Sequence, residues 1–266
     1  MISDVVIGQY FPGNSIIHRL DPRIKLCLTL AQIVLLFASG GFIPLFLVVA
    51  LILLTMLLSG VPLKLYFKSL KAIWVIVVFS SIFNLFYGTG TPLWTFGFLK
   101  ITADGIRNCL FISLRIIALI LSSSVLTFTT SPTSLTDAIE RLLKPLQRLH
   151  VPVHEFAMMM TITLRFVPML LEETEKIMSA QKARGADMES GGVMQRIRAM
   201  VPVLVPLFVS AFRRAMDLAM AMESRCYHGG AGRTKLKVLK VGKLDYTVLS
   251  CFAAATVVFV WLNVIL

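Results

Sequence analysis

Apolar residues in this chain fall into long runs with no charged interruption, and polar residues cluster between them. No Asp, Glu, Lys or Arg occurs in the 38 residues between Lys25 and Lys64. One membrane span needs about 20 residues, so Gly40-Gly41 splits this stretch into a helical hairpin, Leu26 to Ser39 and Phe42 to Leu58. Asp21-Pro22-Arg23 opens the first helix as an N-cap followed by proline in the first turn. That helix is short for a bilayer, and Arg23 and Lys25 are expected to snorkel to its surface. Lys64, Lys68 and Lys71 mark a basic loop or interfacial turn before a third apolar run, Ala72 to Tyr87. Gly88 to Pro92 with Trp94 reads as an interfacial loop carrying an aromatic anchor. A fourth span covers Asp104 to Phe128, and a last apolar run continues from Asp245 to Leu266.

Between the fourth and last runs the texture changes. Asp137 to Lys243 holds 17 basic and 10 acidic residues. Ser134-Leu-Thr-Asp137 resembles a capping box, with Asp in place of Glu, and opens an amphipathic helix to Leu149 that Val151-Pro152 ends. A long helical pattern then runs from His154 to Ala183, about 45 Å at 1.5 Å per residue. A second spans Val193 to Tyr227 and stops at Gly229-Gly230. Pro168, Pro202 and Pro206 lie inside these patterns and are expected to kink or interrupt them. Ala211, Ala215 and Ala219 form a small-residue stripe where the two helices are expected to cross. Of 13 methionines, 11 lie between Met158 and Met222, including Met158-Met159-Met160, which suggests an adaptable docking surface rather than core filling alone.

The fold class that follows is an all-α membrane protein: about five transmembrane helices plus a cytoplasmic coupling domain of long crossed amphipathic helices. Its expected divisions are a cytoplasmic N-terminal segment (1–24), transmembrane helices one to four (25–130), the coupling domain (131–243) and a final transmembrane helix (244–266). Composition agrees: 57% of residues are hydrophobic and 15% charged, with mean hydropathy +0.82, where soluble domains carry about 25% charged residues. The net charge of +12 fits cytoplasmic loops facing anionic lipid heads or acidic partners, and nucleic acid is not an expected partner.

Catalytic chemistry is missing from the sequence. Gly229-Gly-Ala-Gly-Arg-Thr234 lacks the spacing and the lysine of a phosphate-binding loop, and HExxH does not occur. His150 and His154 are four apart with Pro152 between them and no carboxylate-rich ligand set, so no metal site is expected. Cys27, Cys109, Cys226 and Cys251 form no CxxC pair and read as small hydrophobes in packed helices. Arg115 stands near the middle of the fourth span, where an arginine costs about 2.5–3.5 kcal/mol on insertion scales. It must therefore face the bundle, a partner or water. Without a second buried charge to form an ion path, structural pairing, or snorkelling if the span is displaced, is the better reading.

Gly8-Gln-Tyr-Phe-Pro-Gly-Asn-Ser15 followed by His18-Arg-Leu-Asp-Pro-Arg-Ile-Lys25 resembles the opening of the transmembrane T components of energy-coupling factor (ECF) transporters. Ala183-Arg184-Gly185 is similar to the first Arg motif of that family. Ser224-Arg225-Cys226, 41 residues later, is similar to the second, where Ala-Arg-Gly is more usual. The resemblance covers nearly the whole chain. It implies a non-catalytic subunit of an ATP-driven importer, in which two ABC ATPase subunits bind and hydrolyse ATP and a small S component captures a vitamin or similar micronutrient. Arg184 and Arg225 would dock the ATPases, and this chain would hold no cofactor of its own. The methionine surface suggests several interchangeable S components; the alternative is a T component dedicated to cobalt, nickel or biotin. The expected location is the cytoplasmic membrane of a prokaryote, multi-pass, in contact with lipid, with the N-terminus and the coupling domain in the cytoplasm. Five spans then put the C-terminus outside. Alkaline phosphatase fused after Leu266 is predicted to be active, and a fusion active only as a cytoplasmic reporter there contradicts the count.

Overall fold

The computed structural model describes residues 10–86, 92–96, 99–186, 192–229, 239 and 241–265. The apolar runs become helices because a backbone out of water must satisfy its own N–H and C=O groups. The chain divides into two units, one built from Gly8–Ala138 and Val238–Leu266 and the other from Ile139–Lys237.

In the first unit α1 (Ile16–Arg19) precedes α2 (Pro22–Ala38), α3 (Phe42–Ser59), α4 (Leu63–Phe86) and α5 (Ala103–Thr129), and α9 (Lys243–Ile265) closes the bundle. Leu36, Leu45, Val48, Ile52 and Phe128 form its core, with Tyr66 edge-on to Phe128 at 5.2 Å. Tyr66 is buried against a polar partner: its hydroxyl lies 3.0 Å from Ser59 Oγ. Helices α4 and α5 come together at Gly105, where an added Cβ would lie 2.5 Å from the Leu85 carbonyl oxygen. Only glycine permits that approach. Ser81 and Ser113 hydroxyls join the same two helices at 2.7 Å, and Ser122 Oγ donates to Gln32 Oε1 at 2.9 Å between α5 and α2.

The bundle has two distinct ends. At one, the Phe11 N–H donates to the Phe128 carbonyl at 2.9 Å, and His18 Nε2 lies 2.9 Å from the Phe11 carbonyl oxygen. There Asp245, 4% exposed, accepts the backbone N–H groups of Asp21 (2.9 Å) and Gly242 (2.7 Å). At the other end Asn263 Oδ1 accepts the Gly40 N–H at 2.9 Å. The chain thus crosses the unit five times, and α9 finishes at the end opposite α1.

Among the described residues, five helical segments are long and apolar enough to cross a membrane: Phe42–Ser59, Leu63–Leu85, Ala103–Thr129, Met194–Glu223 and Lys243–Ile265. The first helix is short, as expected, and one difference from the sequence reading stands out. The 17-residue α2 falls below the length of an ordinary span, while Met194–Glu223, counted above among the cytoplasmic helices, reaches it. The class holds: an all-α membrane protein, apart from a short antiparallel hairpin of β1 (Pro92–Phe96) and β2 (Leu99–Thr102). That hairpin stands where part of the interfacial loop was expected; Gly88 to Thr91 lie outside the described residues.

Three further expectations are corrected. Lys64, Lys68 and Lys71 are not in a loop but on the first turns of α4. Cys27 and Cys251 are exposed on their helices rather than packed, and all four cysteines are free. Lys25 does not snorkel. It is 6% exposed and donates to the carbonyls of Thr129 (2.9 Å) and His18 (3.3 Å), with Asp21 and Asp245 as counter-charges. Arg23 instead pairs with Asp21 at 2.6 Å. Turning inward lets Lys25 cap carbonyls at the end of α5, whose last turn has no basic residue of its own. Asp245→Ala leaves two buried N–H donors and a buried ammonium short of a partner. It is predicted to cost about 3 kcal/mol, measured as a lower thermal midpoint of the purified protein, with Asp245→Asn costing less.

Candidate functional site

The second unit is dominated by two 31-residue helices, α7 (Val153–Ala183) and α8 (Val193–Glu223). They follow α6 (Pro132–Leu143) and a 3-10 turn, Lys144–Leu149, that replaces the last part of the helix expected to run to Leu149. His154 Nδ1 lies 3.0 Å from Glu140 Oε1 and so ties α7 back to α6. Pro168, Pro202 and Pro206 do not break their helices. Pro206 has no N–H to offer the Pro202 carbonyl four residues earlier; Gln181 Nε2 reaches that oxygen from α7 at 3.4 Å.

The pair runs antiparallel. Gln181 meets Pro202, Glu173 meets Ser210 and Arg214, and Ile162 and Met222 line one cleft of about 250 Å³. Ala211, Ala215 and Ala219 face that cleft opposite Phe166 and Leu170. Glu173 accepts the Ser210 hydroxyl at 2.5 Å and Arg214 Nη2 at 2.8 Å. The Ser210 hydrogen bond, reinforced by Arg214, holds its carboxyl below the usual carboxylate range. The sequence reading missed this cross-tie. Its signal was an arginine beside the alanine stripe, matched by an acid on the preceding helix.

The residues of the two Arg motifs share one backbone geometry. At the end of α7, Ala186 N–H bonds to the Gln181 carbonyl and Gly185 N–H to the Lys182 carbonyl, both at 3.0 Å. Past α8, Tyr227 N–H bonds to the Met222 carbonyl at 3.0 Å and Cys226 N–H to the Glu223 carbonyl at 2.8 Å. Both are Schellman ends, with a 6→1 bond enclosing a 5→2 bond. Arg184 and Arg225 occupy the same place in each, immediately before a residue of positive φ: Gly185 at +88° and Cys226 at +55°. Replacing the usual glycine by Cys226 therefore keeps the turn. Ala183, Arg184, Gly185, Ser224, Arg225 and Cys226 are all exposed. Among the described residues neither guanidinium has an ion-pair partner.

Arg184 and Arg225 do not come together. Because α7 and α8 are antiparallel, their C-terminal ends point apart, on the order of 40 Å by helical rise. The methionines are partly surface groups: Met159 is 56% and Met160 40% exposed, while Met158 is half-buried. On α8, Met194, Met200, Met216 and Met220 are exposed beside Phe208 and Phe212. Arg115 belongs to the first unit and to a structural role. Its Nη2 donates to the Ser39 carbonyl at 2.9 Å, at the C-terminus of α2, and its guanidinium stacks 4.6 Å from the Phe111 ring centre. No cluster of three or more metal-ligating side chains occurs among the described residues.

An apolar helical bundle joined to a long helical pair with two matched arginine ends defines a membrane-embedded helical subunit. Comparison with known proteins makes the class specific. The family model described as cobalt transport protein, CbiQ, matches residues 13–236. A relative from Ruminiclostridium cellulolyticum is 49% identical over 97% of this chain and 96% of its own length. One from Thermosediminibacter oceani is 53% identical over 91% of each chain, and one from Bacillus subtilis 44% identical over 97% and 98%. All three are named energy-coupling factor transporter transmembrane protein EcfT. The chain belongs to this family, the transmembrane T components of ECF transporters, and is thus a membrane-spanning subunit of a transport complex.

A left-handed cysteine carries a backbone penalty of about 1–2 kcal/mol that glycine escapes. Cys226→Gly is predicted to raise stability by about 1 kcal/mol without weakening assembly, read as a higher thermal midpoint. A lower midpoint contradicts the positive φ.

Proposed function

We propose that this chain couples ATP hydrolysis by two ABC ATPase subunits to uptake of a vitamin or similar micronutrient through an S component. Arg184 docks one ATPase and Arg225 the other. The observation that carries this reading is the pair of matched, exposed, ion-pair-free arginines at opposite ends of one antiparallel helical pair. Two such ends, on the order of 40 Å apart, suit two similar partners better than one ligand. Guanidinium forks recognise carboxylates bidentately and tolerate the partial burial of an interface. Helix-dipole stabilisation at the two C-termini favours a cation there in any case, but it is satisfied by lysine as well.

In this reading the N-terminus and residues 131–243 lie on the cytoplasmic side of a bacterial membrane. The chain binds no cofactor, and ATP stays with its partners. Closure of the ATPase pair displaces the two docked ends, and α7 and α8 act as levers because Glu173, Ser210 and Arg214 lock them together at mid-length. The exposed Met and Phe side chains of α8 form an adaptable apolar surface for the S component. That use also accounts for a segment apolar enough to cross a membrane yet placed among charged neighbours.

The description of the matching family as cobalt transport favours a second reading, a T component dedicated to one substrate. Mass spectrometry of the complex purified under starvation for different vitamins separates the two: several S components support sharing, and a single one supports dedication. For docking, Arg184→Glu and Arg225→Glu each reverse a charge at one interface. Loss of a docked charge pair costs about 2–5 kcal/mol, so each variant is predicted to lose ATPase co-purification at least tenfold, and the double variant to abolish uptake. Full assembly and full uptake by the double variant would overturn the docking role.

A further inference from the structure

Lys64, Lys68 and Lys71 follow one another at intervals of four and three, so they share one face of α4. All three are exposed. The opposite face of the same turns is fixed inward by Tyr66, 2% exposed. Continuing along the lysine face, the next positions are Val75 (75% exposed), Phe79 and Ile82. One uncovered stripe is therefore cationic for two turns and apolar for the two or three after it. Trp74 and Phe67 are exposed beside it.

No described carboxylate pairs with any of the three lysines. Two acids of the same unit are committed elsewhere: Asp21 to Arg23, and Asp245 to two backbone N–H groups. The stripe begins at the end of the bundle where the start of α2 and the end of α5 meet. That end also carries the basic residues Arg19, Arg23 and Lys243, whereas at the far end Arg107 stands beside Gly40 to Phe42 together with the acidic Asp104.

The geometry points to a binding site for an anionic diacyl phospholipid of the inner leaflet. Its phosphate lies among Lys64, Lys68 and Lys71, and an acyl chain lies along Val75, Phe79 and Ile82. The three ammonium groups are spread over about 10 Å of helix, too widely for one small anion. They match a phosphodiester and a second polar group on an acidic lipid, while the apolar continuation has no use for a soluble ligand. An anionic leaflet surface attracts such basic segments, and the attraction fades within a Debye length of about 8 Å at physiological salt. The site rests on α4 spanning the bilayer with its lysine end on the cytoplasmic side, as in the proposed function, and is independent of the docking role of Arg184 and Arg225.

Trp74 gives a direct reading of this site, because it is exposed three residues beyond Lys71. In a full-length Trp94→Phe/Trp261→Phe background, the protein is reconstituted with brominated phosphatidylglycerol or brominated phosphatidylcholine at equal mole fraction. Brominated phosphatidylglycerol is expected to quench Trp74 at least twofold more, with the excess lost in high salt. A Lys64→Gln/Lys68→Gln/Lys71→Gln variant that keeps its helical circular dichroism is expected to quench equally with both lipids. Equal quenching by the two lipids in the lysine-bearing protein overturns the site. So does selectivity that survives the triple substitution, including the case in which that variant instead loses an acidic protein partner.

Discussion

A buried lysine at one end of the bundle is the interaction on which the rest of the first unit depends. Lys25 gives up solvent, and its ammonium must find carbonyls and counter-charges within the protein. It finds the Thr129 and His18 carbonyls, with Asp21 and Asp245 nearby. Satisfying one charge thus brings together the N-terminal segment, the start of α2, the end of α5 and the start of α9. The chain passes from this unit into the second after Ala138 and returns at Val238. The same end fixes the topology, because α9 begins there and its Asn263 reaches Gly40 at the other. Arg115 solves the matching problem at that far end by donating to the Ser39 carbonyl. Each bundle end uses one cation to satisfy carbonyls that a helix terminus leaves open.

The second unit follows a different logic. Its helices bury little and expose much, so their shape is held by a few specific ties rather than by a core. Glu173 with Ser210 and Arg214, and Gln181 with the Pro202 carbonyl, are the main ones. Two Schellman ends then present Arg184 and Arg225 in the same local frame. In the proposed function, this pair with matched ends is the element that would transmit a displacement from the ATPases.

Much of this was legible in the sequence. The charge-free run after Lys25, its glycine split and the capped start of α2 report backbone requirements that act locally, and they located those helices within a few residues. The capping box read at Ser134 was misplaced, because α6 begins at Pro132 and Ser131 Oγ accepts the Ser134 N–H at 3.2 Å. The two Arg motifs were legible as short patterns at helix ends. What was not legible depended on partners distant in sequence. Lys25 reads as a snorkelling residue until Thr129, 104 positions later, is seen to need it. Cys226 in place of glycine leaves the local turn of the second motif undetermined until its positive φ shows the turn preserved. The prolines of α8 read as breaks because the donor that compensates for Pro206 comes from α7. Lys64 to Lys71 read as a loop because charge density mimics a turn, although their spacing is helical.

The central claim is that the two arginine ends move with the nucleotide state of bound ATPases. Spin labels at Ala183→Cys and Ser224→Cys, with the native cysteines replaced, report the distance between those ends in the assembled complex by double electron–electron resonance. The account predicts a distance on the order of 40 Å that shifts by several ångströms between nucleotide-free and ATP-bound complexes. A distribution unchanged across nucleotide states, and the same with and without the ATPases, would contradict it.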